Sequence, residues 1–319
     1  MELGEIHKTV IQLGREHDPR GADTVALYLA EKKEAFKALK EKDRKNFDRE
    51  LLENPYADTR ILHGDPEKDV RKVMVGIDVG IGEVLLVDRL NEKGAGIDCI
   101  IPHHPTGKAL RHLDEVMNMQ VDIFHMLGIP VSVAEGLTSQ RISEVERRIL
   151  PQNTDRALDA AKHLDIPVMT VHTPADNMVT QYLSAKMKSA SPRRLKHIIA
   201  LLEEEEEYAR AIKERRGLKV LVGNNENRAG EVFIDMTGGT SPAKEVYAKL
   251  ASNSEVGTVV CMHMNDEYRK LMEESHINVL VAGHIASDSL GLNLLLDRTF
   301  PEGDVKILAC SGFHRVRRG

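Results

Sequence analysis

Tryptophan is absent from the 319 residues, and phenylalanine and tyrosine contribute only six each. Lys and Arg number 44 against 50 Asp and Glu, a net charge of −6. A mildly acidic chain with so few aromatics lacks both the basic surface and the stacking platforms that hold nucleic acid. The tail Arg315-Val316-Arg317-Arg318 is too short to alter that. Cysteine is scarce as well. Cys99, Cys261 and Cys310 show no CxxC spacing and lie in apolar stretches, which predicts buried free thiols in a reducing cytosol. No apolar run approaches the about 20 residues that span a bilayer, so no membrane partner is expected. The start, Met1 to His7, has neither a basic n-region nor an apolar h-region, so secretion is not expected. What is present, 41% hydrophobic and 29% charged residues, suits a cytoplasmic globular protein with a sizeable core.

Short β-branched runs read as strands over 72–77, 97–101, 130–133, 167–171, 219–222, 232–234, 258–262, 278–282 and 305–309. Helical patterns separate most of them, over 83–93, 107–127, 154–164, 176–188, 243–251, 266–275 and 287–297. This alternation predicts a two-lobed α/β fold of layered, mostly parallel sheets flanked by helices. Residues 1–66 read as a charged helical segment, with a helix over 22–49, ahead of a module spanning 67–319. Ser191-Pro192 suits a helix start and Gly217 a stop, so 192–216 reads as one helix joining the lobes, its run Glu203 to Glu207 a solvated face. Gly128-Ile129-Pro130, Asp165-Ile166-Pro167 and His276-Ile277-Asn278 share a helix-to-strand turn pattern without a longer repeat.

The fourteen histidines are not scattered. Four apolar runs end in one: Cys99 to His103-His104, Val168 to His172, Val259 to His263 and Val279 to His284. In an open parallel sheet, strand ends collect on one edge, where ligand sites form. Imidazoles converging there suit a transition metal. Asp176 follows His172 by four and Asp288 follows His284 by four, so each pair can share a helical face or meet over a turn. Pro105 fixes the backbone beyond His103-His104.

At Ile101-Pro102-His103-His104-Pro105, His172-Thr173-Pro174-Ala175-Asp176 and Gly283-His284-Ile285-Ala286-Ser287-Asp288 the chain resembles the NIF-three-like family, also called the GTP cyclohydrolase I type 2 family. The likeness runs from about Asp65 to about Phe300 and includes Ile77-Asp78-Val79 and Gly238-Gly239. The resemblance implies a hexameric ring with a dinuclear centre, whose ligands by motif are His103, His104, Asp176, His284 and Asp288. It departs from the family at Asp288, where Glu is usual, and in a longer gap between His104 and His172, which implies an inserted strand and helix over 130–150. A nitrogen and oxygen ligand set without cysteine suits two divalent transition-metal ions, Zn, Fe, Mn or Ni.

Around these, His263 reads as an ordinary loop residue, and His172 as a residue that orients a ligand or lies idle. Glu135 and Gly136 follow a further strand and either share the strand-end edge or lie off it, the latter being favoured, and Asp78 either caps a helix or accepts from an imidazole, the cap being favoured. Ser241 reads as the cap of a helix begun by Pro242, Lys108 and Arg111 as contacts for an anionic substrate or plain surface charges, and Met117, Met119 and Met126 as core. Two functions remain open. One is a metal-dependent hydrolase of a nucleotide or other phosphate-containing small molecule, with no separate general base in view. The other is a non-enzymatic metal carrier or oligomeric scaffold.

Overall fold

A computed structural model of the chain describes residues 1–301 and 303–318. Its strands in chain order are β1 (Ile61–His63), β2 (Lys72–Gly76), β3 (Cys99–Pro102), β4 (Val168–Met169), β5 (Lys219–Val222), β6 (Glu231–Asp235), β7 (Val256–Cys261), β8 (Asn278–Val281) and β9 (Lys306–Cys310). They make two sheets, β1-β4-β3-β2-β9 and β5-β8-β7-β6. Only β1 with β4 and β5 with β8 pair antiparallel. Strands β2 and β3 are almost wholly buried, which is why they read as continuous Val, Ile and Met runs and not as alternating ones.

The helices are α1 (Leu3–Glu16), α2 (Ala22–Ala38), α3 (Glu41–Arg44), α4 (Ile81–Glu92), α5 (Gly107–Arg111), α6 (Leu113–Met117), α7 (Met119–Met126), α8 (Val131–Ile149), α9 (Arg156–His163), α10 (Thr173–Ala190), α11 (Leu195–Glu203), α12 (Glu206–Lys213), α13 (Lys244–Asn253), α14 (Asp266–Glu274) and α15 (His284–Thr299). Two of them form the centre. α10 is buried from Thr173 to Thr180 and α15 from Ala286 to Leu296, so neither shows the single apolar stripe of a surface helix. They cross closely, because Gly291 has no Cβ where one would meet the Ala175 carbonyl oxygen at 2.4 Å. That crossing lies one residue from Asp176 and three from Asp288.

Registers put the carboxyl ends of the parallel strands level. Gly76 faces Pro102 and Cys310 in the first sheet, and Cys261 faces Asp235 and Val281 in the second. The ladder continues past the end of β3: the His103 amide donates to Gly76 O at 2.8 Å and the His104 amide to Ile77 O at 3.0 Å. The two imidazoles therefore stand on fixed backbone.

Several expectations are corrected. Residues 130–133 are not a strand. Pro130 precedes the first turn of α8, and Glu135 and Gly136 lie inside that helix, off the sheet edge. The insertion between His104 and His172 accordingly brings helix but no strand at 130–150. The turn pattern shared by Gly128, Asp165 and His276 is real, since all three take positive φ (97°, 51° and 57°) as helix-ending residues do, but after Gly128 it leads into another helix. Residues 192–216 hold two helices, broken between Glu203 and Glu206, and Ser191 is the left-handed end of α10 (φ 47°). The break turns Glu205 and Glu207 inward, while Glu203, Glu204 and Glu206 stay exposed, so only part of the acidic run is a solvated face. Tyr182 Oη donates to Glu205 at 2.8 Å, Lys186 bonds the same carboxylate, and Arg318 spans Glu205 (3.2 Å) and Glu207 (2.6 Å). The basic tail thus serves internal pairing. Met117 and Met119 are core, whereas Met126 is 63% exposed. No helix among the described residues is long and apolar enough to cross a membrane.

Gly291→Ala should lower unfolding free energy by about 1–3 kcal/mol, because an added methyl in a filled crossing forces the helices apart. Gly82→Ala, whose Cβ would meet nothing within 4 Å, should not destabilise. Urea denaturation of the two variants checks both outcomes.

Candidate metal centre

The strand ends and the α10–α15 crossing bring one cluster together. The three imidazoles of His103, His104 and His172 are each oriented from behind. His103 Nδ1 donates to Val171 O (2.9 Å), His104 Nδ1 to Asp78 Oδ1 (2.7 Å) and His172 Nδ1 to Asp58 Oδ2 (2.8 Å). Acceptors at Nδ1 fix each ring with Nε2 aimed inward, the atom that binds a metal once it carries no proton. These nitrogens face two carboxylates. His103 Nε2 is 3.5 Å from Asp176 Oδ1 and 3.6 Å from Asp288 Oδ1. His104 Nε2 is 3.5 Å, and His284 Nε2 3.6 Å, from Asp288 Oδ2. His172 Nε2 stands 3.7 Å from Asp176 Oδ2.

These separations exceed hydrogen bonds. They match two atoms on one tetrahedral ion, which at bond lengths of about 2.1 Å stand roughly 3.4 Å apart. His103 Nε2, Asp176 Oδ1 and both Asp288 oxygens are buried without any hydrogen-bond partner. Leaving such groups unpaired is costly, so the cluster fits a cation. Two groups bring their ligand atoms within 4.8 Å of one another, close enough to hold an ion, His103-His104-Asp288 and His103-His172-Asp176, and they share His103.

All five residues singled out by motif are therefore gathered, with His284 facing Asp288 and its ring 5.0 Å from that of His104. His172 joins as a sixth. Asp78 accepts from His104, while the helix it was expected to cap starts at Gly80 with Glu83. Asp58, which sequence reasoning missed, is fully buried and also accepts from Thr173 Oγ1 (2.6 Å). Burial opposes charge throughout; it prevails at Asp176 and His284 and is overcome by neighbours at Asp288 and His172. Burial drives the Asp176 carboxyl up to about 6 against His172 and His103. For Asp288 the three facing imidazoles outweigh burial and hold it well below the carboxylate range. Burial works against a charged His172, yet Asp176 and Asp58 raise it to about 9. Burial lowers His284 to about 4.

The cluster forms the floor of a cavity of about 270 Å³, lined by Asp235 and Cys261 of the second sheet and by His104 and His172 just beyond strands of the first. His263 is in this wall, its ring 4.9 Å from that of His284, and so is more than a loop residue. Burial keeps the His263 ring below its ordinary value, toward the neutral form. Gly238 and Gly239, with φ of 102° and 80°, form a loop at the rim, and α13 begins at Lys244 after that loop, not at Pro242. Lys108 and Arg111 are elsewhere, paired with Asp48 (3.0 Å) and Asp155 (2.6 Å). Asp235, also missed, closes the cavity from the end of β6. It accepts a hydrogen bond from Tyr247 Oη, and burial raises its carboxyl to about 6.

No family model matches the chain, and no curated protein does. Solved structures do. A NIF3 superfamily protein from Sphaerobacter thermophilus is similar with a TM-score of 0.68 and 25% identity, over 82% of this chain and 94% of that one. Reduced HcgD from Methanocaldococcus jannaschii matches at a TM-score of 0.47 and 14% identity, over 79% of this chain and 87% of that one. A Bacillus cereus protein related to NIF3 matches at 0.41 and 12%, over 79% of this chain and 90% of that one.

Asp288→Ala should lose at least one equivalent of retained metal with the fold intact, read by elemental analysis and circular dichroism. Asp288→Glu, the residue usual in the resembled family, should retain metal. Full metal content in Asp288→Ala would reduce Asp288 to a buried residue of the α15 start.

Proposed function

We propose that this chain, NIF3-like in sequence motifs and in fold, holds two divalent transition-metal ions, Zn, Fe, Mn or Ni, and hydrolyses a nucleotide or other phosphate-containing small molecule. The observation that carries this reading is the set of buried, unpartnered donor atoms around Asp288, whose two oxygens face different histidines. Asp288 would offer one oxygen to each ion, Oδ1 on the side of His103 and Asp176 with His172 beside it, and Oδ2 on the side of His104 and His284. When bound, such ions supply Lewis acidity, lowering the pKa of a water and stabilising negative charge as it develops.

The chain's own groups do the rest. Asp58 and Asp78 lock two of the rings so that Nε2 points inward. The second sheet's wall excludes bulk water from one side of the cavity. Asp235 provides the acid–base group that no motif announced. A carboxyl near 6 exchanges a proton close to neutral pH, and Tyr247 Oη holds it in place.

A turnover screen of metal-loaded protein against nucleotides and phosphate monoesters and diesters tests the reading. Hydrolysis is expected, lost in Asp288→Ala together with metal. In Asp235→Asn it should fall about 10²-fold or more while metal content stays unchanged. Stoichiometric metal with no turnover of any substrate would favour the carrier or scaffold role instead.

A further inference from the structure

A second cavity lies behind the first, between α7, α10 and the edge strand β6. Its volume is about 190 Å³ and its walls are mostly apolar, with Ile123, Phe124, Leu127, Val232 and Phe233 among them. It shares Asp235, Met236 and Thr237 with the metal-site cavity. Two of its lining residues keep a buried polar atom without a partner, Gln120 Oε1 and Thr180 Oγ1. The Gln120 amide orientation is set by its nitrogen, which donates to Gly238 O (2.8 Å) and Thr240 O (2.6 Å) of the metal-site rim. Its oxygen therefore needs a donor from elsewhere.

At the other end the cavity adjoins a wide cleft of about 1130 Å³, with which it shares Ser184, Glu231 and Val232. Thr180, Ser184 and Lys188 follow one another at intervals of four along α10, a single line from the inner cavity to the cleft. The cleft is basic in a chain of net charge −6. Lys188, Arg193, Arg194, His197 and Arg228 line it against one acidic residue, Glu231. Arg194 has Glu226 at 3.9 Å, whereas among the described residues Lys188, Arg193 and Arg228 have no carboxylate within 4 Å. A backbone bridge between Arg194 and Arg228 ties the two arginine-bearing loops together. An apolar chamber with a polar inner end and a cationic mouth selects by both charge and shape.

We propose that this chamber binds a small amphiphilic anion: an aromatic body that carries a hydrogen-bond donor at its inner end and an anionic head at the Arg193–Arg228 mouth. Calorimetric titration of the full chain with 3-(4-hydroxyphenyl)propionate tests it. Saturable 1:1 binding is expected. The phenyl analogue without the hydroxyl should bind several-fold more weakly, and Thr180→Val should shrink that difference. Tyramine, with the charge reversed, and inorganic phosphate, with the body removed, should each bind at least tenfold more weakly. Ser184→Trp, an exposed position shared by chamber and cleft, should cost at least tenfold, and so should Arg193→Glu. Affinity that survives Ser184→Trp, equal binding of tyramine, or no saturation at millimolar concentration would overturn the proposal.

Discussion

Two carboxylates, Asp176 and Asp288, are buried where water cannot solvate them, and everything around them answers that cost. A buried anion persists only with positive company. Here the company is a shell of imidazoles, three of them set by hydrogen bonds reaching back to Val171, Asp78 and Asp58. The imidazoles come from strand ends because level registers carry them to one edge. The carboxylates come from α10 and α15 because Gly291 lets those helices touch. Remove the close crossing and the carboxylates separate. Loosen the backing hydrogen bonds and the Nε2 atoms lose their common aim.

Much of this was legible in the sequence, for stated reasons. His103 and His104 follow a run of residues buried on both faces, and a strand of that kind must end at a sheet edge. His172 with Asp176, and His284 with Asp288, are four apart, and both pairs prove to lie at the start of a helix. The illegible parts depend on distant partners. Asp58 reaches His172 across 114 residues, and no local pattern marks it. Asp235 becomes a candidate acid–base group only through burial and the Tyr247 hydroxyl. Glu205 and Glu207, within a run that reads as solvated, turn inward to Arg318, which lies 111 residues beyond Glu207. Residues 130–133 show a limit of another kind, since a short β-branched run is equally compatible with a strand and with the first turn of a helix.

The two cavities share the segment Asp235 to Thr237, and Gln120 joins the wall of one to the rim of the other. A ligand behind β6 would therefore press on the same residues that close the metal-site cavity. This gives the edge strand β6 two roles, carrying Asp235 toward the metal cluster and walling an apolar chamber on its other side.

In the function proposed for this chain, Asp288 would stand between two ions. Anomalous diffraction from crystals grown with Zn²⁺ or Mn²⁺, recorded at the metal edge, tests it most directly. Two peaks are expected, about 3.5–4 Å apart, with one Asp288 oxygen toward each. A single peak, or two peaks that leave Asp288 without a metal contact, would contradict the account.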